Sequence, residues 1–284
     1  MVIGVFWFSV MGLLVKLAGE RLPPMQIIVF RTGITLMLSL AVVLRAGVRP
    51  VLGTHRKLLV LRGLCGALGL LGFFHSLVYN PLAEANLLQY TNPIFATIIA
   101  GLWLGESVGR AELASLALSL LGVVFVTRPA ALFGMSAHTL NPLHVLIGLG
   151  GALGSGAAYA VVRKIGHREH PTVVVLYLPL VATPIALLLS TGQWVMPAPR
   201  DWALLIGAAL STQVAQVYMT RGLQQETAAR ATTAGYLQVV FAGVWGVLIL
   251  GERPSGWTLV GAALIVGSAL LLALGKQKGG VGDE

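Results

Sequence analysis

Charge is scarce in this chain of 284 residues: 10% of its side chains carry one, against about 25% in an ordinary soluble domain. A globule of this size needs far more polar surface than that, so a water-soluble fold is excluded. Acids are scarcer than bases, ten Asp and Glu against nineteen Lys and Arg, and Met1 to Leu17 contains none. The single cysteine, Cys65, leaves no intramolecular disulfide. His138 with His144, and His167 with His170, read as loop residues and do not make up a zinc-ligand pattern, so no metal is expected. The glycine-rich stretch Gly148 to Gly156 lacks the lysine of a phosphate loop and sits in an apolar run, where close helix packing accounts for it. No cofactor is expected either. Nucleophile, acid-base and metal-ligand groups do not converge anywhere in the pattern, which argues against an enzyme.

What the chain does have is length of apolar sequence: 56% of it is hydrophobic. A bilayer-spanning helix uses about 20 apolar residues, and the runs between charge, proline and glycine divide into ten. The first five lie near 1–18, 25–45, 57–79, 82–104 and 110–127. The second five lie near 143–165, 171–191, 201–223, 227–250 and 255–275. The apolar start, without a basic leader region, reads as the first membrane helix rather than a cleaved signal. The fold class expected is an all-α polytopic membrane protein.

The two sets superpose at a constant offset of 146 residues. Over positions 83–118 against 229–264, twelve of 36 positions are identical without a gap, among them Tyr90 and Tyr236, Phe95 and Phe241, and the adjacent Gly105-Glu106 and Gly251-Glu252. Because five is odd, the second set enters the membrane in the opposite sense. Ten transmembrane helices in two inverted five-helix repeats are expected, an architecture that belongs chiefly to carriers. The boundaries expected are a first repeat over 1–128, a linker over 129–142, a second repeat over 143–276 and a tail over 277–284.

A net charge of +9 would raise the question of nucleic acid in a soluble protein. Here the bases gather in short connections. With a cytoplasmic N-terminus, thirteen of them, from Arg45 to Lys278 and with Arg62 among them, fall on inner loops. Five fall outside: Lys16, Arg21, Arg128, Arg200 and Arg253. The positive-inside rule then places both termini in the cytoplasm and leaves no role for nucleic acid. The partners expected are the lipid bilayer and a small-molecule substrate.

The paired span ends Leu104-Gly105-Glu106 and Leu250-Gly251-Glu252-Arg253-Pro254 resemble the drug/metabolite transporter superfamily in its ten-helix branch with two EamA-type repeats, over essentially the whole chain. More narrowly, the chain resembles the YddG-type exporters of aromatic amino acids. The resemblance implies a central cavity between helices one to four and six to nine, and transport by alternating access across a bacterial inner membrane. Small multidrug carriers of the superfamily depend on a glutamate in their first helix, which this chain does not have. The Gly-Glu pair itself has a structural account: a left-handed glycine cap followed by a carboxylate near the next helix start.

Polar side chains facing lipid would lack partners, so those at helical spacing inside apolar spans are candidates to line a substrate cavity. His75 with Tyr79 and Asn86 with Tyr90 form such pairs, and Pro93 should bend the span that carries Tyr90. In the second half the candidates are Gln213 and Gln216, in a stripe with Thr212 and Thr220, and Tyr236 with Gln238, which repeat Tyr90 and Asn92. Trp7, Tyr159, Tyr177 and Trp245 could stack on an aromatic substrate. Each of these groups could equally bond or pack between helices. His75 is also the group most able to change charge near neutral pH. Arg31, buried in a span, must snorkel, pair with Glu84 or attract a substrate carboxylate. Trp103, Trp194 and Trp202 sit at span ends and read as interfacial anchors. The function expected is export of aromatic or other apolar amino acids. A broad drug or lipid-intermediate exporter is the alternative, and a non-transporting membrane partner protein the alternative of another class.

Overall fold

The computed structural model describes residues 1–80, 82–127, 141–190, 194–251 and 256–279, and within them every regular element is helical. Helices α1 (Val2–Ala18), α2 (Pro24–Arg45), α3 (Arg56–Tyr79), α4 (Leu82–Gln89), α5 (Asn92–Leu104) and α6 (Arg110–Thr127) come first. Helices α7 (Pro142–Ile165), α8 (Pro171–Leu189), α9 (Pro199–Gln225), α10 (Ala228–Thr233), α11 (Leu237–Leu250) and α12 (Gly256–Gly279) follow. The pairs α4–α5 and α10–α11 are interrupted crossings, so the chain crosses the membrane ten times, in two inverted sets of five. Seven of these segments are long and apolar enough to span by length and hydropathy alone, and α1 and Gly256–Leu271 of α12 are shorter apolar helices. Glu84 and residues 272–279, whose backbone is helical, lie outside the described side chains. His138, Arg128 and the second motif's Glu252-Arg253-Pro254 lie outside the described residues.

Local chemistry sets the helix ends. Pro24, Pro142, Pro171 and Pro199 open α2, α7, α8 and α9, where a missing N–H costs nothing. The Asn141 carbonyl caps α7 by accepting from Leu143 N at 2.9 Å. Gly105 and Gly251 end α5 and α11 in the left-handed region, at φ +69° and +67°, so the repeated glycine performs the same capping in both halves.

The surface is the reverse of a soluble protein's. Leu102, Leu188, Met196 and Leu248 are 71–85% exposed, whereas Gln26, Arg31, Ser39, Arg62 and Gln213 are buried. Lipid contacts the first group, and helix-to-helix contacts enclose the second.

The halves interlock rather than lie side by side. α7 packs along α3 and against α5, and its repeat counterpart α1 packs along α9 and against α11. α6 packs along α12, and α2 against α8, each on its own counterpart. Small residues permit these approaches, because association within lipid relies on close packing. A Cβ on Gly72 would stand 2.6 Å from Gly151 Cα, and one on Gly154 would stand 3.0 Å from the Cys65 carbonyl. Between α6 and α12, Ser119 bonds the Ser268 hydroxyl and Ser115 donates to the Ser268 carbonyl at 2.8 Å.

Each half contains one broken crossing at an equivalent place. Pro93 has no N–H to give to the Gln89 carbonyl, and Ile94 N bonds the Thr91 carbonyl at 3.0 Å instead of continuing the α-ladder. The Tyr90 carbonyl is thereby freed, and the Tyr236 hydroxyl donates to it at 2.9 Å. Tyr236 ends the 3-10 turn Ala234–Tyr236 that interrupts the second half. The expected bend at Pro93 is thus a complete break tied to its own repeat. The second break has no proline: Val239 stands at the position of Pro93. α8 continues as one helix through Pro179 and Pro184.

Candidate functional site

Sequence reasoning placed Arg62 on an inner loop, and the structure corrects this. α3 starts at Arg56, so Arg62 lies nearly two turns inside the helix and is only 3% exposed. The start of the helix has tertiary support. Glu169, in the loop before α8, accepts at Oε1 from Thr54 N at 2.7 Å, the Thr54 hydroxyl at 2.7 Å and His55 N at 2.5 Å, satisfying amides at the helix entrance. The Arg62 guanidinium crosses to α9, donating from Nη2 to Gln216 Oε1 at 3.2 Å. Its Nε is buried and has no partner. The titratable groups close enough to act on it are Tyr159 and Cys65.

Several residues singled out in the sequence contact another helix, among them Gln213, Tyr236 and Trp245. Gln213, one turn before Gln216, accepts from the Ser39 hydroxyl at 2.6 Å, and its buried Nε2 lacks a partner. Gln89, which ends α4, donates to Ser155 at 3.2 Å and keeps a buried Oε1 without a partner. Ser155 repeats Ser9, which accepts from Trp245 Nε1 at 2.9 Å; the two serines anchor equivalent helices of opposite halves. Tyr90 and Tyr236 meet with ring centroids 6.0 Å apart at the two breaks. Trp7 and Trp245 join an aromatic group around Phe6, at 5.9 and 5.8 Å, between α1 and α11.

Other expected residues go elsewhere. His75 and Tyr79 sit at the far end of α3 from Arg62, where His75 Nε2 meets His144 Nδ1 at 3.0 Å and Tyr79, 57% exposed, stacks on His144 at 4.5 Å. Tyr177 is locked into an aliphatic cluster and donates to the Leu52 carbonyl at 2.8 Å. Asn86 and Gln238 are half-buried. Arg31 is buried, with Nη1 at 3.4 Å from Met11 Sδ and its guanidinium carbon 5.9 Å from the centre of the Phe74 ring. Trp103 and Trp194 are 41% and 46% exposed at helix ends, and Trp202 packs on Phe30 at 5.0 Å. A hollow of about 600 Å³ beside Leu44 to Val51 contains no buried polar side chain in its lining and lies at a loop, away from this centre.

The face that holds Met1 is tied shut by ion pairs between the halves. Glu106 accepts from Arg163 Nε and, at 3.0 Å, from Ala228 N. Arg163 also donates to the Gln224 carbonyl at 3.2 Å. Glu112 accepts from Arg230 Nε at 2.7 Å. The Glu106 of the repeated motif is therefore a cross-half tie, a role the helix-capping account did not include. The opposite face carries Arg21 paired with Asp201 at 3.0 Å, and Gln26 bonded to the Val195 backbone at 2.6 and 3.0 Å.

Burial pushes the Glu169 carboxyl up, but the hydrogen bonds from Thr54 and His55 outweigh it and leave the group below the usual carboxylate range. Its ionised form therefore adds stability that is fully present above the ordinary carboxylate value and is lost as pH falls through the depressed one. Glu169→Gln should lower the Tm at neutral pH, and the gap from the parent protein should close in acid. A gap independent of pH in thermal unfolding would contradict this.

The EamA-like transporter family model matches residues 1–128 and 142–274. The chain is 32% identical to the pseudopaline exporter CntI of Pseudomonas aeruginosa, over 97% of this chain and 95% of that protein. It is 28% identical to a riboflavin transporter of Vibrio cholerae, over 90% of this chain and 85% of that one. A solved structure with 20% sequence identity superposes with a TM-score of 0.82, covering 97% of this chain and 96% of its own.

Proposed function

The chain belongs to the EamA-like transporter family, and from that premise we propose that it exports aromatic or other apolar amino acids and related metabolites. Transport runs by alternating access across a bacterial inner membrane, with both termini in the cytoplasm. The observation that carries this reading is the polar centre between the halves: Arg62, Gln216 and Gln213, flanked by the tyrosines of the two helix breaks. Interrupted helices at matching places in inverted repeats are where carriers of this type build solute sites. Fixed donors set among aromatic and aliphatic side chains suit an amphipathic solute. The ion pairs on the face that holds Met1 join the halves at the entrance we assign to the cytoplasm, and Arg21–Asp201 and Gln26–Val195 join them at the other. The direction is supported by the exporter among the relatives, and the cargo range by that relative and the riboflavin transporter.

Counterflow tests the reading. Purified protein in liposomes preloaded with phenylalanine should accumulate labelled phenylalanine well above empty liposomes, with tryptophan and leucine competing and a cationic dye failing to compete. Exchange of the dye without exchange of any amino acid would replace this reading with that of a drug exporter. Absence of all exchange would leave a non-transporting membrane partner.

A further inference from the structure

Two arginines lie inside the membrane-spanning bundle, and among the described residues neither has a carboxylate within 4 Å. Arg62, on α3, is 3% exposed and has one hydrogen bond to protein, from Nη2 to Gln216. Arg31, on α2, is 7% exposed and contacts the soft acceptor Met11 Sδ and the Phe74 ring, while the side chain of Glu84 lies outside the described residues. Four of the acids with described side chains are engaged elsewhere: Glu106 by Arg163, Glu112 by Arg230, Glu169 by Thr54 and His55, and Asp201 by Arg21. A guanidinium offers five N–H donors in a planar fork and cannot shed its charge. A buried cation without a counter-ion is costly, so its retention calls for an anion that comes and goes.

The surroundings of Arg62 specify what that anion is. Its unpartnered Nε is accompanied by the unpartnered Gln213 Nε2, one turn from Gln216 on the same side of α9. Both are donors, and both are buried. The nearby Tyr159 and Cys65 add no negative charge at neutral pH. A planar fork, with an amide donor one turn along α9 from its glutamine partner, fits a carboxylate. A single guanidinium balances one negative charge, which favours a carboxylate over a doubly charged phosphate.

We propose that Arg62, with Gln213 and Gln216, is the carboxylate receptor of the transport site, so that the cargo must carry a carboxylate but need not carry an amine. This rests on the transport reading above and deepens it by naming the part of the solute that is held.

Three ligands of one shape separate the parts: phenylalanine, phenylpropionate without the amine, and phenethylamine without the carboxylate. Thermal shift of the purified full chain should show stabilisation by phenylpropionate and phenylalanine and none by phenethylamine. In Arg62→Gln the apparent affinity for phenylpropionate should fall at least tenfold, and Arg62→Lys should recover part of it. Phenyl phosphate serves as the other anion and should bind more weakly than phenylpropionate. The proposal is overturned if phenethylamine stabilises as well as phenylpropionate, if phenyl phosphate binds more tightly, or if Arg62→Gln binds like the parent. Because binding is read without transport, failed counterflow with intact phenylpropionate binding sinks the amino-acid reading alone. Should Arg62→Gln not fold, Gln213→Leu, which removes the second donor and keeps Arg62, is expected to weaken phenylpropionate severalfold; unchanged binding there contradicts the receptor.

Discussion

Gly151→Leu is expected to yield no monodisperse folded protein, while Gly150→Leu, one residue away, yields nearly the parent's recovery. A Cβ on Gly151 would stand 2.9 Å from Gly72 Cα and C and 3.0 Å from Phe73 N, all backbone atoms that no rotamer change can move. A Cβ on Gly150 meets nothing within 4 Å. Even Gly151→Ala must part α3 from α7, and overpacking of this kind costs about 1–3 kcal/mol. Since α7 is the element on which the first half packs, with contacts to both α3 and α5, the leucine variant separates the halves themselves. Size-exclusion profiles and thermal unfolding of the three variants beside the parent decide it. Equal behaviour at 150 and 151 would mean that the α3–α7 contact does not hold the halves together.

Glu106→Gln is expected to open the face that holds Met1. Both members of the Glu106–Arg163 pair are less than a third exposed, at 15% and 25%. Removing one partner of a buried pair costs about 3–5 kcal/mol, because the other charge is left uncompensated. Here the strain can be relieved by conformational change, since Arg163 reaches water when the halves part. Even about 3 kcal/mol corresponds to a population shift on the order of a hundredfold. Hydrogen exchange should show lost protection at 105–110 and 226–233, and turnover in liposomes should fall at least tenfold as the cycle stalls in one state. Exchanging the charges, Glu106→Arg with Arg163→Glu, should restore protection only in part, because Glu106 also accepts from Ala228 N. Unaltered protection in Glu106→Gln would remove the pair from any gating role.

The fold was legible because its determinants are long-range in count but local in kind. Apolar run length marks the crossings, and the offset of 146 marks the repeat. Gly105 and Gly251 carry the same conformational demand in both halves. Candidates for the site were legible where polarity stood out from an apolar background, as at Gln213, Gln216 and Tyr90. It was illegible where a partner far along the chain decides. Arg62 follows Arg56 and Lys57, so it looks like the end of a basic loop. Glu169, more than a hundred residues on, supports the start of α3, but the span expected from about residue 57 already contained Arg62. The signal available was that the run after Lys57 is apolar, which makes Arg62 an intrahelical charge. His75 and Tyr177 read as cavity candidates, yet His144 and the Leu52 carbonyl take their polar atoms. The second helix break has no proline to announce it, and it shows only through the repeat of Tyr90 at Tyr236.

Whether the two halves move against each other as a carrier must is tested most directly by distances measured on both faces at once. On a Cys65→Ser background, spin labels at Val108 and His167 report the face that holds Met1, and labels at Glu20 and Leu143 report the other. Comparing the parent with Glu106→Gln in lipid nanodiscs by pulsed electron resonance, the first distance should lengthen and the second shorten. A first distance that lengthens while the second stays fixed would show local fraying of one end, and would contradict alternating access between the halves.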